Sequence, residues 1–287
     1  MLDKIIFGDN QFLGINHRSL NKSKSQETKF DKVDDIYKTL EYVNSIGIKS
    51  FMFTTHNQFE PVLKMIKNNT TFTDFKLIPC IPYGHKYADA MVELGMLGTV
   101  RKFLPRNPFT TGLRGLKTLL LNDPVPTMKL LIDSEMKMLK GMNVQAIFIQ
   151  NAVTDLLLGL NMSNIFIDYI NYVVDKYNIK VGFITMNFAK LHHTLIDTLK
   201  VRRPLICSNI NKIGFRMNPS QEVVENILSK NTSDNIAMSI FASGAIKPEK
   251  AVDYLNKTKG VNSVLFGAST REHIYETKKL LDDYLAN

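Results

Sequence analysis

The residues best suited to chemistry in this sequence stand directly after short apolar runs, where polar side chains can gather at one edge of a sheet. Asp9 follows the first run, His56 the second and His85 the third. Carboxyl and imidazole groups are the side chains that most often carry a proton between an enzyme and its substrate. We predict that these three residues are the catalytic acid and base groups.

Each of these residues also has a structural interpretation. An aspartate in a turn often accepts backbone N–H groups, and a histidine in this setting is commonly packed or hydrogen-bonded. Two histidines and a carboxylate also form an accepted metal-ligand set. Only their shared position at run ends favours a metal, so we predict none.

Amide side chains dominate the other run ends, and amides bind a substrate without titrating. A Schiff-base aldolase would need a lysine at the end of a run, but Lys212 and Lys247 come several residues later. This spacing disfavours an aldolase and leaves it as an alternative. The predicted substrate-binding residues are Asn10, Gln11, Gln150, Asn151 and Asn209.

Eight apolar runs alternate with amphipathic stretches, and this order defines the elements that position the polar residues. The runs are nearly continuous in Ile, Val, Leu and Phe, which suits strands buried on both faces of a parallel sheet. The alternation predicts a (β/α)8 TIM barrel, one α/β domain over residues 1–287. An open doubly wound sheet is the alternative, but no early G-x-G-x-x-G turn supports it. The runs span residues 4–8, 49–54, 76–81, 145–150, 180–185, 204–209, 236–241 and 263–267.

One segment, residues 94–127, interrupts the alternation between the third run and the fourth. We predict an insertion that is either a solvated surface excursion or a basic lid over an anionic ligand. The basic residues are not dense and no aromatic series alternates with them, so nucleic-acid binding is not predicted. They are Arg101, Lys102, Arg106, Arg114 and Lys117.

Composition predicts a globular cytoplasmic protein. Hydrophobic residues make up 44% and charged residues 22%, close to the average for folded domains. Cys80 and Cys207 lie in apolar runs and are predicted to be reduced. No secretory signal is evident, and no stretch approaches the roughly 18 apolar residues of a membrane span, so membrane binding is not predicted. The net charge of +9 favours an anionic small-molecule partner; the oligomeric state is left open.

The stretch VLFGASTREHIYET, residues 264–277, is the best candidate ligand site. Ser269 and Glu272 have the spacing of a helix capping box, S-x-x-E. The amides at a helix start also attract phosphate, Gly267 permits close backbone approach, and Arg271 adds a charged contact. Phosphate sites of such barrels often lie after the last two strands. We predict that this turn both caps a helix and binds a ligand's phosphate.

The C-terminal half resembles the aldo/keto reductases, a family of NADP-linked TIM-barrel oxidoreductases. VGFITMNF is similar to the family's fifth-strand pattern, IAMSIFASGAI to its seventh-strand segment, and VLFGASTREHIYET to the segment that holds the adenosine phosphate of NADP. The resemblance implies NADP as the cofactor and Asn187 as the residue that holds the nicotinamide carboxamide. It implies further cofactor contacts at Ser243, Gly244, Gly267, Ala268, Ser269, Thr270 and Arg271.

The resemblance fails at the catalytic positions, where these reductases use an aspartate, a tyrosine, a lysine and a histidine. Those positions fall on or near Met52, Asn57, Ile81 and Gln150. Tyr83 is the nearest substitute proton donor. The N-terminal FGDNQFLGINH also resembles uncharacterised aldolase-type TIM barrels, which imply no mechanism.

These observations predict a divergent barrel enzyme that binds NADP(H) or another phosphate-bearing molecule at the strand 7/8 end. Its reaction is predicted to differ from the standard aldo/keto reduction. One alternative is an aldolase, lyase or isomerase acting on a sugar phosphate. The other is a non-catalytic binding protein on a decayed reductase fold.

Overall fold

Eight parallel strands form the centre of the protein. The computed structural model describes residues 2–14, 29–82 and 124–286. Each strand pairs with the next in chain order and the last pairs with the first, so the sheet closes and the predicted TIM barrel is confirmed. The strands are β1 (Ile5–Phe7), β2 (Ser50–Thr54), β3 (Lys76–Ile81), β4 (Ala146–Ile149), β5 (Lys180–Thr185), β6 (Leu205–Asn209), β7 (Asp234–Met238) and β8 (Ser263–Phe266).

Helices cover the outside of the barrel. They bury apolar residues spaced three or four apart, as Ile36, Leu40 and Val43 of the first helix show. Within the described ranges, no helix has both the length and the apolar character needed to cross a membrane. The helices are α1 (Val33–Ser45), α2 (Phe59–Asn68), α3 (Pro124–Met136), α4 (Asn151–Gly159), α5 (Asn164–Tyr177), α6 (Phe188–His193), α7 (Gln221–Ser229), α8 (Pro248–Lys257) and α9 (Arg271–Ala286). Shorter turns are Thr70–Phe72, Lys137–Leu139, Ala242–Gly244 and the π-helical Thr194–Thr198.

The strands are buried on both faces, as their apolar composition predicts. One set of alternating side chains fills the barrel interior and the other packs against the helices. Phe148 fills the interior beside Gly182, because a Cβ on Gly182 would come within 2.3 Å of the Phe148 ring. Both cysteines are buried and free in this interior. The interior residues are Leu2, Ile6, Met52, Ile78, Cys80, Ala146, Phe148, Cys207 and Ile236.

Strand β7 ends earlier than the apolar pattern predicts. The pattern predicts a strand over residues 236–241, whereas β7 ends at Met238. Ser239 adopts a left-handed backbone conformation with a φ of 56°, which is incompatible with an extended strand. The loop that carries Ser243 and Gly244 therefore begins inside the predicted strand.

The predicted insertion, residues 94–127, lies mostly outside the described residues. Residues 124–127 form the first turn of α3. The helix therefore begins before the C-terminal bound predicted for the insertion. The prediction of a lid falls on residues that the structure does not describe.

Helix α3 is tied to α5 through Asp133. Its carboxylate accepts hydrogen bonds from Tyr172 and Tyr177, both at 2.6 Å, and from Lys176. Burial opposes ionisation of Asp133, but these hydrogen bonds and the charge of Lys176 outweigh it and lower the pKa of the carboxyl. The network fixes α3 against the barrel's outer layer.

Candidate functional site

Asp9 lies at the C-terminal mouth of the barrel, directly after β1. The residue is 8% exposed, and its Oδ2 accepts a 2.7 Å hydrogen bond from the backbone amide of Thr54 at the end of β2. Burial disfavours the charged carboxylate and raises the pKa of Asp9 to about 6, although hydrogen bonds from Thr54 oppose the shift. A carboxyl group with this pKa can hold or release a proton near neutral pH, as a general acid or base must.

Polar contacts extend from Asp9 across the mouth. Thr54 follows the interior residue Met52 by two positions, so alternation along the strand turns its side chain inward. Gln150 Nε2 donates to Thr54 Oγ1 over 3.3 Å. Burial raises the pKa of the Cys80 thiol well above its ordinary value, and the charge of Asp9 adds to that rise. The thiol therefore stays protonated and is a poor nucleophile.

Gln11 covers Gly267 at the end of β8. Its Nε2 donates to the Gly8 carbonyl at 2.7 Å, and the residue is 3% exposed. A Cβ on Gly267 would lie 2.2 Å from Gln11 Oε1, so the glycine makes room for this amide. The motif around Gly267 predicts close approach of a phosphate, whereas the close approach in the structure is that of Gln11.

Asn209 lies at the end of β6 and two positions after the interior residue Cys207. It is 2% exposed. Its Nδ2 donates to the Arg216 carbonyl at 3.2 Å and contacts the Met186 sulfur at 3.0 Å. In the described part of the chain, Asn209 Oδ1 has no hydrogen-bond partner.

Asn187, which the family resemblance assigns to a carboxamide, caps α6. Its Oδ1 accepts the Lys190 amide at 3.3 Å, and its own backbone amide donates to Thr185 Oγ1 at 2.8 Å. Asp155 on α4 accepts from Thr185 Oγ1 at 2.5 Å and from the Met186 amide at 2.9 Å. The Asn187 side chain therefore has a structural role at this strand end.

The turn after β8 starts α9, and Thr270 caps this helix. Thr270 Oγ1 accepts the backbone amide of His273 at 3.2 Å. The predicted capping box of Ser269 and Glu272 is wrong by one residue. The helix begins at Arg271, and the residue directly before a helix supplies the cap.

A surface pocket of about 290 Å³ opens beside this helix start. Lys29, Lys38 and Arg271 bring three cationic side chains to it, and Asp35 brings one carboxylate. The pocket therefore carries an excess of two positive charges, three cations less one anion. Its other lining residues are Phe30, Thr39 and Ser269.

Local contacts position two of the three cations. Lys29 Nζ donates to the Ser269 carbonyl and lies 5.6 Å from the centre of the Phe30 ring. The Arg271 guanidinium lies 5.1 Å from the centre of the Tyr42 ring on α1. Cations over aromatic rings are held in place by electrostatic attraction. The pocket thus has partly ordered cations before any ligand arrives.

Lys29 and Lys38 are pocket residues that no sequence pattern predicts. Both precede the VLFGASTREHIYET motif by more than two hundred residues and belong to no recognisable motif of their own. They meet Arg271 only because β8 pairs with β1 and α1 lies beside the turn that follows β8. Their place in the pocket could be predicted only from the closed barrel, which brings α1 next to the turn after β8.

The predicted acid and base groups are described only in part, because Tyr83 and His85 lie outside the described residues. His56 is half-buried, and its Nδ1 accepts the amide of Gln58 at 3.1 Å, at the start of α2. Among the described residues, no group of three or more His, Cys, Asp or Glu side chains could hold a metal ion. Asp9 is the predicted acid or base group for which the structure gives a perturbed pKa.

The remaining predicted residues lie around the same mouth. Ser243 and Gly244 form a turn after β7 in which both backbones are left-handed, with φ of 57° and 85°. Asn10 is exposed and Asn151 begins α4. Ala268 is half-buried between Gly267 and the α9 start. These positions are those of loops that follow strands, where barrels bind ligands.

No protein-family model matches the sequence, and no curated protein matches it. Solved structures match its fold. A protein from Pseudomonas aeruginosa described as an aldo-keto reductase matches with a TM-score of 0.57 at 10% identity, over 99% of this chain and 91% of that one. The shared feature is the fold, a closed (β/α)8 barrel.

Two further aldo-keto-reductase-like structures agree with this assignment of the fold. A thermostable aldo-keto reductase solved with the inhibitor epalrestat matches with a TM-score of 0.57 at 11% identity, over 98% of this chain and 90% of that one. A glycerol dehydrogenase from Gluconobacter oxydans matches with a TM-score of 0.52 at 10% identity, over 99% of this chain and 92% of that one. At this identity the likeness is one of fold, a (β/α)8 barrel, and the activity must be argued from the site.

Proposed function

We propose that the protein binds a phosphate-bearing small molecule, NADP(H) first among the candidates, with a phosphate in the pocket of Lys29, Lys38 and Arg271. The observation that carries the proposal is the pocket, where three cations surround about 290 Å³ at the start of α9. A helix start adds amide donors and a partial positive charge. A phosphomonoester dianion would balance the pocket's two excess positive charges.

The residues of the pocket fit the phosphate end of NADP(H). A nearby arginine is what commonly accommodates the 2′-phosphate that distinguishes NADP from NAD. Arg271 could contact such a phosphate with two parallel hydrogen bonds, while Lys38 and Lys29 would act as point charges. A bound nicotinamide would supply hydride chemistry, and the chain's own residues would supply the charged pocket and a proton.

We assign the proton transfer to Asp9. Its carboxyl is buried at the mouth, has a pKa of about 6 and is oriented by the Thr54 amide. The four positions that the family resemblance assigns to catalytic residues hold groups that do not titrate, Met52, Asn57, Ile81 and Gln150. Met52 is 2% exposed in the barrel interior, and Gln150 bonds to Thr54. For this reason the proposal does not include the standard aldo/keto reduction.

Calorimetric titration with NADPH tests the proposal. We expect Arg271→Gln and Lys38→Gln each to weaken binding about tenfold or more, since a hydrogen bond to a charged group contributes about 1.5–3 kcal/mol. Lys180→Gln is the matched control, because it removes the same charge at the start of β5, the opposite end of the barrel. NADH, which lacks the 2′-phosphate, should bind more weakly than NADPH to the unaltered protein. Absence of NADPH binding at millimolar concentration, or equal weakening by Lys180→Gln, would refute the assignment.

A second candidate function uses the same residues without nicotinamide. Asp9 alone could move a proton on a sugar phosphate, as an isomerase or lyase requires. The specific observation in its favour is that Asp9, a buried carboxyl with a pKa of about 6, lies at the mouth. Stabilisation of the protein by sugar phosphates together with no response to NADPH would select this function.

A further inference from the structure

The mouth of the barrel contains two buried hydrogen-bond acceptors without partners. Gln11 Oε1 and Asn209 Oδ1 accept no hydrogen bond within the described ranges, although the two residues are only 3% and 2% exposed. Buried polar groups in proteins are nearly always paired, and each exception calls for an explanation. Two such acceptors at one end of the barrel suggest that a bound molecule donates to them.

Neighbouring backbone carbonyls fix the orientation of both amides. Gln11 Nε2 donates to the Gly8 carbonyl and Asn209 Nδ2 donates to the Arg216 carbonyl. A carbonyl only accepts hydrogen bonds, so the NH₂ end of each amide must face it. The oxygen ends are therefore the groups left for a ligand.

Both oxygens lie at the mouth end of the barrel. Asn209 follows the interior residue Cys207 by two positions, and Gly267 follows Leu265, which packs on the interior cluster, by two positions. Side chains two positions apart point to the same face of a strand. Gly267 directly follows β8, and Gln11 Oε1 lies 2.2 Å from where a Gly267 Cβ would be, so this oxygen lies at the mouth end of β8.

Two of the described donors at the same mouth are used within the protein. The Thr54 amide donates to Asp9, and Gln150 Nε2 donates to Thr54 Oγ1. An ionised Asp9 adds further acceptor sites, since a carboxylate only accepts. A ligand carbonyl could not hydrogen-bond to these acceptor oxygens, because it only accepts, whereas a ligand hydroxyl group can donate to them.

We infer that the mouth binds the hydroxyl groups of a polyhydroxylated ligand, such as the carbon chain of a sugar phosphate or polyol phosphate. The inference rests on the proposed phosphate pocket and names the substrate class for it. Gly267, under Gln11, precedes Ser269 of the pocket by two residues, a span of at most about 7 Å. A chain of several carbons attached to a phosphate in the pocket would reach the mouth.

Two ligands of equal length isolate the contribution of the hydroxyls. Sorbitol 6-phosphate and n-hexyl phosphate share the phosphate and the six-carbon chain, but only the first has hydroxyl groups. We expect sorbitol 6-phosphate to bind about tenfold more tightly or better by calorimetry, because it satisfies buried acceptors. In Asn209→Ala the ratio of the two affinities should fall towards one, whereas a merely distorted protein would lose both affinities equally. Gln11→Ala serves as the second variant if Asn209→Ala does not fold.

The outcomes separate this inference from the proposed function. Equal binding of the two ligands, or tighter binding of hexyl phosphate, overturns the inference and leaves the phosphate pocket standing. Binding of neither ligand overturns the inference, and the NADPH titration then decides the proposed function separately. The carboxamide of NADP is another source of N–H donors, so NADP⁺ is compared with its 3-acetylpyridine analogue, which lacks them. If the protein binds NADP⁺ more tightly than the analogue but binds the two six-carbon phosphates equally, the carboxamide of the cofactor and not a hydroxyl group donates to these oxygens.

Discussion

Replacement of Asp9 by asparagine should stabilise the protein at neutral and alkaline pH. The carboxyl is buried, and burial raises its pKa from 3.8 to about 6. Asparagine is nearly isosteric and keeps an oxygen that can accept the Thr54 amide, which now bonds Asp9 Oδ2 at 2.7 Å. The substitution therefore removes a buried charge with little change in packing.

The magnitude follows from the two pKa values of Asp9. A pKa difference of one unit corresponds to about 1.36 kcal/mol, so a rise from 3.8 to about 6 costs the ionised folded state about 3 kcal/mol. Between these pH values the folded protein holds a proton that the unfolded chain has released, so stability falls as pH rises. The contribution of the protonated group is complete below about pH 4 and lost above about pH 6.

Thermal unfolding of both proteins across pH 4 to 8 measures this effect. At pH 7.5 we expect the Tm of Asp9→Asn to exceed that of the wild type by about 6 °C, with little difference at pH 4. Asp31→Asn, at an exposed aspartate, is the control for the loss of one negative charge. A difference that does not change between pH 4 and pH 8 would refute the assignment of a raised pKa to Asp9. Loss of stability at every pH would refute it as well.

Three further predictions test the described contacts. Asp133→Asn should lower the free energy of unfolding by about 1–2 kcal/mol at pH 7, because charge-assisted hydrogen bonds are lost. Since the pKa of Asp133 is lowered, this difference from the wild type in urea unfolding should shrink as the pH falls below about 4. A difference that stays unchanged below that pH would contradict the prediction. Gly267→Ala should lower the free energy of unfolding by about 1–2 kcal/mol, because the new Cβ would overlap Gln11 Oε1. Most of this loss should vanish when Gln11 is also replaced by alanine. If the effects of the two substitutions simply add, the predicted contact is wrong. In chemical denaturation, Thr270→Ala should lower the free energy of unfolding by about 1 kcal/mol and Ser269→Ala by less than half of that, because Thr270 caps α9. A larger loss for Ser269→Ala would instead support Ser269 as the cap.

Most of the barrel could be predicted because its strands are buried on both faces. Continuous apolar runs identify such strands, and regular spacing identifies the helices between them. The end of β7 could not be placed this way, because Ile240 is apolar and buried but lies outside the strand, after the left-handed turn at Ser239. Apolarity reports burial, and it does not distinguish a buried loop residue from a buried strand residue.

The candidate site could be predicted only where neighbours in sequence are also neighbours in space. Arg271 and the start of α9 were found because they share one motif. Lys29 and Lys38 reach the same pocket through closure of the barrel, which no local pattern records. Similarly, the sequence predicted Asp9 as an acid or base group, but its raised pKa depends on burial that only the packed structure defines.

A crystal structure of the protein with NADPH would locate the phosphates of the bound ligand. We predict that a phosphate group of the ligand lies within hydrogen-bond distance of Arg271 and Lys38, beside the amides at the start of α9. An ordered ligand whose phosphates all lie outside the pocket of Lys29, Lys38 and Arg271 would contradict the proposed function.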